Sequence, residues 1–230
     1  RRRSGRVVRG LDHRQRGFYR QIERGVLALF ANLAAIAIQK ANLLHSMQER
    51  VGDLEFVDEV VRIISGKVET PGVLYTIVQQ IGIRFSCSQC TLFLVHQGDE
   101  GPVLKPEVAY PPETSAKDIF SFKPGQGLAG WVYSKGESVC LADAREDDRF
   151  ITIREKTKGT PRAMLLVPVK SGGRVVGVIS ADQNKAGSFN DNHKRLLNAL
   201  ASHVAIALQR AQQLEELDET RRRYNQDKSH

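Results

Sequence analysis

Hydrophobic positions recur at helical spacing near both ends of this chain and alternate with polar positions in between. Apolar side chains within residues 26–50 lie alternately three and four positions apart, at Leu29, Leu33, Ile36, Leu43 and Met47, with Lys40 as a polar interruption. This spacing predicts a long helix that pairs along its length. Two further amphipathic helices are predicted, one over 53–67 capped by Asp53 and one from Pro71 to about Arg84.

The middle of the chain predicts strands joined by turns. Short apolar runs bounded by Gly, Pro and Asp are typical of strands, and two adjacent runs around a glycine turn predict an antiparallel hairpin. In chain order the runs are 87–96, 103–110, 119–122, 138–143, 163–169 and 174–182. A last long helix is expected to begin at Asn190 or Asp191 and to reach about Arg223.

These elements predict an α+β fold: an antiparallel sheet of about six strands, with helices on one face, a cap over the other, and long N- and C-terminal helices. The cap is the segment 122–150, in which a glycine turn, a short helix ending at Lys135-Gly136, a strand-like run and a charged turn follow one another. A cap over a sheet face encloses a pocket, although plain core packing is the competing interpretation.

The pocket predicted under this cap has apolar walls and one polar residue, Asp143, which is either an anchor for a ligand or a turn cap. The walls are expected from Ile119, Phe122, Trp131, Cys140, Phe150, Met164 and Val167. The sequence contains no recognisable catalytic triad, acid pair or phosphate loop. It therefore predicts a binding site without catalytic residues, metal ligands or a cofactor.

Three motifs in the cap resemble the GAF domain, a family found in phytochromes, cyclic-nucleotide phosphodiesterases and bacterial sensor proteins. They are G-Q-G-L-A-G-W-V at 125–132, G-E-S-V-C-L-A-D at 136–143 and D-D-R-F at 147–150. The resemblance covers about Leu54 to Leu214. It implies the same α+β fold and a small-molecule-sensing, regulatory domain that is not itself an enzyme.

The ligand motifs of the family are matched only in part. Relatives that bind cyclic nucleotides carry Asn-Lys, then Phe, then an acidic pair. Here Asn184, Lys185 and Phe189 match, but His193 and Lys194 stand where the acidic pair belongs. A missing charged partner removes much of such a site's specificity, so the sequence does not favour a cyclic nucleotide.

The three cysteines do not complete a known cysteine motif of the family. Bilin-binding relatives attach the chromophore to a Cys commonly followed by His, whereas Cys140 is followed by Leu141. Relatives that reduce free methionine sulfoxide use several cysteines near the cap, where this chain has only Cys140. Cys87 and Cys90 form a single CxxC, and on a strand their side chains are expected to point to opposite faces, which disfavours a metal or redox site.

A repeat suggests how the chain is organised. Residues 30–44 and 200–214 share seven identical positions at an offset of 170, and residues 4–8 resemble the hairpin at 172–176. We therefore expect four regions: a remnant of a preceding similar domain at 1–25, a connecting helix at 26–52, the sensory domain at 53–214, and a signalling helix at 215–230 that leads to an output domain.

The expected output is a histidine kinase, because Asp227-Lys228-Ser229 resembles the approach to the phospho-acceptor helix of sensor kinases. A phosphatase, a nucleotide cyclase or a transcription activator would use the same helical relay. An alternative function is a structural dimerisation and signal-relay module that binds no ligand of its own. The chain lacks an initiating Met, so we expect it to be part of a longer protein.

Charge and composition limit the kinds of partner that this chain is expected to bind. The net charge of +8 is concentrated in residues 1–26, which hold nine Arg and two acidic residues, so nucleic-acid binding is not expected. Asn32, Gln39, Lys40 and Asn42 interrupt the apolar run 26–44, so membrane insertion is not expected either. A second row of apolar side chains at this helical spacing, which we call a seam, lies at Leu200, Val204, Ala207, Ala211 and Leu214, and the two rows together predict a parallel homodimer. Three widely spaced cysteines favour the cytoplasm as the location.

Overall fold

A computed structural model describes residues 4–65, 70–111, 119–151 and 162–227. The predicted break around Gly66, the loop through Ser115 and the charged segment following Ile151 lie outside the described residues. The chain divides into two compact units, Arg1–Leu54 and Glu55–His230.

The described part of unit 1, residues 4–54, is helix. Helix α1 runs from Ser4 to Ser65, so its last eleven residues belong to unit 2. The hairpin-like segment expected at residues 4–8 is therefore wrong, and the two helices expected at 26–50 and 53–67 are one. No proline separates them, and Gly52 costs a helix only about 1 kcal/mol relative to Ala, so good helix formers on either side continue the helix through it.

Between residues 26 and 54, helix α1 carries many exposed apolar side chains. They are Val26, Leu27, Leu29, Phe30, Leu33, Ile36, Ile38, Leu43, Leu44, Met47, Val51 and Leu54. Among the described residues, Val26–Ser65 is the one helical stretch long and apolar enough to cross a membrane, with a mean hydropathy of 1.5 over its best window and none of that window buried. The polar residues in this stretch therefore do not make it too short or too polar to span a membrane, and the absence of membrane insertion stays a prediction. An exposed apolar surface of this extent marks an interaction site.

Unit 2 is an α+β domain built on one antiparallel sheet, as predicted. Its elements are α2 (Thr70–Arg84), β1 (Gln89–Gly98), β2 (Gly101–Tyr110), α3 (Gly127–Lys135), β3 (Val139–Leu141), a 3-10 turn (Ala144–Glu146), β4 (Ala163–Ser171), β5 (Arg174–Gln183) and α4 (Asp191–Asp227). The strand order is β2-β1-β5-β4-β3. The described residues contain five strands rather than six, because the strand predicted at 119–122 is reduced to a single bridge between Phe122 and Leu104.

One face of the sheet packs against α2, α4 and the end of α1, and we call this layer the helix-side core. Its most deeply buried side chains are Val60, Ile77, Ile81, Leu92, Leu165, Ile179, Leu197 and Leu200. Helix α4 begins as predicted, since the Asn190 side chain accepts a hydrogen bond from the backbone N–H of His193 at 3.0 Å.

The seam predicted along α4 lies largely inside this domain. Leu200 and Val204 belong to the helix-side core, and Ala207 and Ala211 are also buried. Only Leu214, at 63% exposure, remains free to meet a second chain. The prediction that this seam pairs two subunits is therefore wrong as far as Ala211, because the same spacing also serves packing onto a sheet.

The other face of the sheet carries the cap. Helix α3 begins where a loop closes on Gly130, whose carbonyl accepts a hydrogen bond from the backbone N–H of Gly125 at 2.9 Å. It ends as predicted at Gly136, which is left-handed (φ 66°) and donates its N–H to the Val132 carbonyl. With β3 and Phe122, this helix covers an apolar layer that we call the cap-side core, formed by Phe93, Leu104, Leu128, Ala129, Val132, Val139, Ala144, Met164, Leu166 and Val178.

Gly177 tests how tightly the central strands are packed. A methyl group at this position would come within 2.5 Å of the Phe93 carbonyl oxygen on β1. We expect Gly177→Ala to lower the free energy of unfolding by about 1–3 kcal/mol, measured by urea denaturation. Gly98→Ala, whose methyl would lie 3.3 Å from the nearest atom at the end of the β1–β2 hairpin, is the control and should cost less. Equal stabilities of the two variants would contradict the close approach of β1 and β5.

Candidate functional site

The cap face of the sheet brings together five of the eight residues predicted to form the site. Met164 is part of the cap-side core, and four partly buried side chains pack against it: Ile119, Phe122, Trp131 and Phe150. The Phe93 and Phe122 rings meet edge to face at 5.6 Å, and Phe120 meets Phe122 at 5.2 Å. An apolar wall therefore lies under the cap, with aromatic rings along its edge.

Two predicted wall residues lie on the wrong face. Val167 is part of the helix-side core, and Cys140 packs against that core. Side chains alternate along a strand, so Met164 and Leu166 of β4 face the cap while Leu165 and Val167 face the helices. Because Cys140 pairs with Leu165, the same alternation turns it away from the cap.

Asp143 is a turn cap and an ion-pair partner. Its carboxylate accepts a hydrogen bond from the backbone N–H of Arg145 at the start of the 3-10 turn. The Arg145 and Arg162 guanidiniums both bind it, at 2.7 and 2.8 Å from Oδ2. These hydrogen bonds hold the pKa of Asp143 well below its usual range. Of the two roles predicted for this residue, the structure supports the turn cap.

Trp131 is fixed in the cap by a cation. The Arg149 guanidinium lies 4.3 Å from the centre of the indole ring. Asp147 orients the guanidinium through two hydrogen bonds, at 2.8 and 2.6 Å. Trp131 is thus a half-buried part of the wall that is held by a cation–π contact.

The sequence analysis missed a polar patch on the cap face of β1 and β5. Within the described residues, Thr91 and Ser180 are the buried polar side chains, at 1% and 5% exposure. They pair across the two strands, and the next pair along the same face is Gln89 and Asp182. Phe93, Val178, Met164 and Leu166 of the cap-side core border this patch, which we call the polar floor.

The polar floor has its own hydrogen bonds and one free acceptor. Gln89 donates to the Thr91 hydroxyl at 3.2 Å, and the Ser180 hydroxyl donates to Oδ1 of Asp182 at 2.7 Å. Among the described residues no side chain donates to Oδ2 of Asp182. This oxygen is available to a hydrogen-bond donor on a ligand.

Burial raises the pKa of Asp182 to about 6, and the hydrogen bond from Ser180 opposes that rise. Removing a carboxylate from water disfavours its charged form, which places the pKa of Asp182 above its ordinary value of 3.8. A ligand that donates a hydrogen bond or carries a positive charge would favour the ionised form.

The sequence held a weak signal for the polar floor. Thr91 and Ser180 each interrupt an otherwise apolar strand, and a polar residue in a buried strand needs a partner. The register that pairs them is a property of the folded sheet.

Cys87 and Cys90 lie away from the cap. Cys87 and Cys90 are both buried in the helix-side core, so the expectation that they point to opposite faces is wrong; Cys87 precedes β1 and does not follow the strand's alternation. Burial raises the pKa of Cys87 to about 12 and that of Cys90 well above its usual range. Thiols of this kind are poor nucleophiles and poor metal ligands.

The partial cyclic-nucleotide motif is divided by the structure. Phe189 is buried in the helix-side core, and the aromatic ring of His193 lies 6.1 Å from its own. Asn184 and Lys185 are exposed in the turn after β5. The structure therefore gives Phe189 a packing role and does not bring it to the cap face.

The family profile described as GAF domain matches residues 69–209. The dual 3',5'-cyclic-AMP and -GMP phosphodiesterase 11 of Drosophila melanogaster is 28% identical over 178 residues, covering 71% of this chain and 12% of that protein. The phosphodiesterase 11A of Takifugu rubripes is 27% identical over 170 residues, covering 69% and 19%. The chain thus spans a small part of the length of these curated relatives.

Solved structures share the fold at low identity. The GAF domain of a phosphoenolpyruvate-protein phosphotransferase from Coxiella burnetii superposes with a TM-score of 0.65 at 19% identity, covering 71% of this chain and 96% of that one. A free methionine-R-sulfoxide reductase from Neisseria meningitidis gives 0.61 at 18% identity, covering 70% and 91%. At these identities the likeness concerns the fold alone.

The raised pKa of Asp182 predicts a pH dependence of stability. Its folded pKa of about 6 exceeds its ordinary value of 3.8, so the folded protein binds the proton more tightly and loses stability as pH rises through that window. Asp182→Asn cannot ionise and should stabilise the protein on the order of 2 kcal/mol at about pH 8, with little effect near pH 4. Urea denaturation at both pH values measures this. The exposed Asp148→Asn is the control, and a D182N effect independent of pH would show that folding does not raise the pKa of this carboxyl.

Proposed function

Because the chain belongs to the GAF domain family, which is known for small-molecule-binding regulatory modules, we propose that its cap face binds a small organic ligand and regulates a linked output domain. The observation that carries this proposal is the polar floor. Buried polar side chains framed by apolar ones, on the sheet face covered by a short helix and loops, are typical of ligand sites.

The chemistry of the floor indicates what such a ligand presents. A hydrogen-bond donor would meet Oδ2 of Asp182, and the Thr91 and Ser180 hydroxyls would accept or donate beside it. An apolar or aromatic body would lie against Phe93 and Met164. Cyclic AMP and cyclic GMP are natural first probes, because the phosphodiesterase relatives are named for both.

We further propose that this chain is not itself an enzyme. The buried cysteines have raised pKa values and lie on the helix side, so they cannot present a thiolate to a substrate under the cap. Within the described residues, no group of three metal-ligating side chains occurs. These two findings support a sensor rather than a reductase or a metalloenzyme.

The relay would run through a parallel homodimer. The exposed face of α1 is apolar at Leu33, Met47 and Leu54, seven or fourteen residues apart, with Lys40 in the same row. The adjacent rows contain Leu29, Ile36 and Leu43 on one side and Phe30, Leu44 and Val51 on the other. A stripe of this width suits helix pairing, and a lone polar residue in its central row is the feature that sets register and partner number.

We propose a histidine kinase as the output and the cytoplasm as the location. The charged segment Asp227-Lys228-Ser229, which begins at the last residue of α4, supports the first, and the three free cysteines support the second. Translating the reading frame downstream of His230 tests the output: a phospho-acceptor His and an ATP-binding domain are expected, and a phosphodiesterase domain there would contradict it.

Ligand binding is tested by thermal shift. Cyclic AMP, cyclic GMP and a library of small metabolites are screened against the wild-type chain, and at least one compound should raise its melting temperature. Thr91→Val keeps the side-chain shape, removes the hydroxyl and should weaken that compound about tenfold. The control, Thr76→Val, alters a hydroxyl bonded within its own helix and should leave the affinity unchanged. Equal loss in both variants would contradict a site at the polar floor.

Dimerisation is tested by analytical ultracentrifugation at micromolar concentration. The wild-type chain should sediment as a dimer, and Leu33→Glu should shift it to monomer by placing a charge in the apolar stripe. Ala35→Glu adds the same charge at an exposed position on the side of α1 away from that stripe and should remain dimeric. A wild-type chain that is monomeric in buffer and binds phosphatidylcholine vesicles would show that the stripe meets lipid instead.

A further inference from the structure

Strands β1 and β5 pair with each other over only part of their length. Their pairing stops at Leu94 and Gly177, although β1 continues beside β2 to Gly98 and β5 begins beside β4 at Arg174. A bulge in the β4–β5 ladder, between Val169 and Lys170, coincides with the parting. Bulges bend a strand and increase its twist, so the sheet is open here like a fork.

The fork holds a cavity of about 730 Å³. Its walls come from the separated ends of β1 and β5, the C-terminal end of α3, the β4–β5 turn and one side of α4. The apolar part of the lining is Leu94, Val95, Val175, Val176, Ala205 and Leu208. This volume accommodates a small organic molecule.

The charged residues at the fork are all basic. Lys135, Lys170 and Arg174 line the cavity, and no carboxylate is among its described lining residues. None of the three takes part in an ion pair within the described part of the chain. The mouth of the fork therefore presents concentrated, uncompensated positive charge beside the apolar part of the cavity lining.

One of these cations, Lys170, lies at the α3 end of the fork. The Nζ of Lys170 lies beside Gly136, where a methyl group would approach it to 3.4 Å. Lys170 thus reaches from the hairpin to the last turn of α3. Arg174, which pairs with Ser171 across the β4–β5 turn, also lines the cavity and is the next cation along this hairpin.

We propose that this fork is a second binding site, for a small organic anion with a carboxylate, phosphate or sulfonate group and an apolar body. The anionic group binds Arg174 and Lys170, and the body lies on Val175 and Leu208. The site is separate from the polar floor, which occupies the opposite end of β1 and β5. It does not depend on the cap-face ligand of the proposed function.

The fork also touches the helix that leaves the domain. Leu208, Gln209 and Gln212 of α4 line it, and beyond Ala211 the next apolar side chains, Leu214 and Leu217, are exposed. An anion in the fork therefore contacts α4 at the turn where the helix separates from the core. Its occupancy acts on α4 directly rather than through the sheet.

Anilinonaphthalene sulfonate combines an anionic group with an apolar body and serves as the probe, with phenylnaphthylamine as its uncharged counterpart. We expect the full chain to bind the sulfonate saturably, and the uncharged analogue at least about tenfold more weakly. Lys170→Gln/Arg174→Gln should weaken the sulfonate by about tenfold or more. The control, Lys185→Gln/Arg210→Gln, removes the same charge from exposed positions outside the cavity and should change the affinity less than about twofold.

Amide NMR locates the bound probe. The resonances of Gly136, Gly173 and Gln209 should shift on titration, while those of Thr91 and Ser180 should not. Gln209→Trp, which fills the cavity without changing its charge, serves in place of the double variant if that variant does not fold, and it should abolish the shifts of Gly136 and Gly173. Absence of saturable binding, equal loss in the two charge variants, equal binding of the uncharged analogue, or shifts confined to the polar floor would each overturn the proposal.

Discussion

The burial of β4 and β5 on both faces is the constraint on which this domain depends. From Ala163 to Val169 every residue of β4 is buried, so strand alternation assigns each side chain to one of two layers. Odd-numbered positions enter the helix-side core and even-numbered ones, Met164 and Leu166, the cap-side core. A slip of one residue would exchange the two sets, which makes the register of these strands decisive for both stability and the site.

The two layers differ in what they can do. The helix-side core is large, apolar and closed by three helices, and it keeps Cys87 and Cys90 protonated. The cap-side layer is closed by the nine-residue α3 and by loops, and it contains the buried Thr91–Ser180 pair. Buried polar groups lower stability unless they are satisfied, so their concentration on the thinly covered face links that face to ligand binding.

Helix ends and turns could be predicted from the sequence wherever a single residue type determines the local structure. Lys135-Gly136 marked the end of α3, Asn190 the start of α4, and the glycine turns both hairpins, because left-handed backbone and capping groups have strong residue preferences. The sequence did not show which positions of a short strand face which side of the sheet. Cys140 and Val167 were assigned to the cap because apolar runs without polar interruptions give no sign of which positions face which layer.

Long-range pairing was also out of reach of the sequence. The polar floor requires the β1–β5 register, which joins residues 83 to 93 positions apart, and the fork requires the place where that register ends. Periodicity along α4 fitted either a dimer seam or a core, and only the packing against the sheet decides between them. The N-terminal hairpin failed because local similarity does not carry strand pairing with it: Arg174–Gln183 is a strand paired with β1 and β4, whereas residues 4–8 lie in helix α1.

The central claim is that the cap face of the sheet, and not the helix face, receives the ligand. Methyl-labelled NMR of the full chain with a stabilising compound from the metabolite screen tests it within one strand, because neighbouring residues of β4 face opposite layers. We expect the methyl resonances of Met164 and Leu166 to shift on titration and those of Leu165 and Val167 to stay within the change caused by solvent alone. Shifts of Leu165 and Val167 without shifts of Met164 and Leu166 would contradict the account.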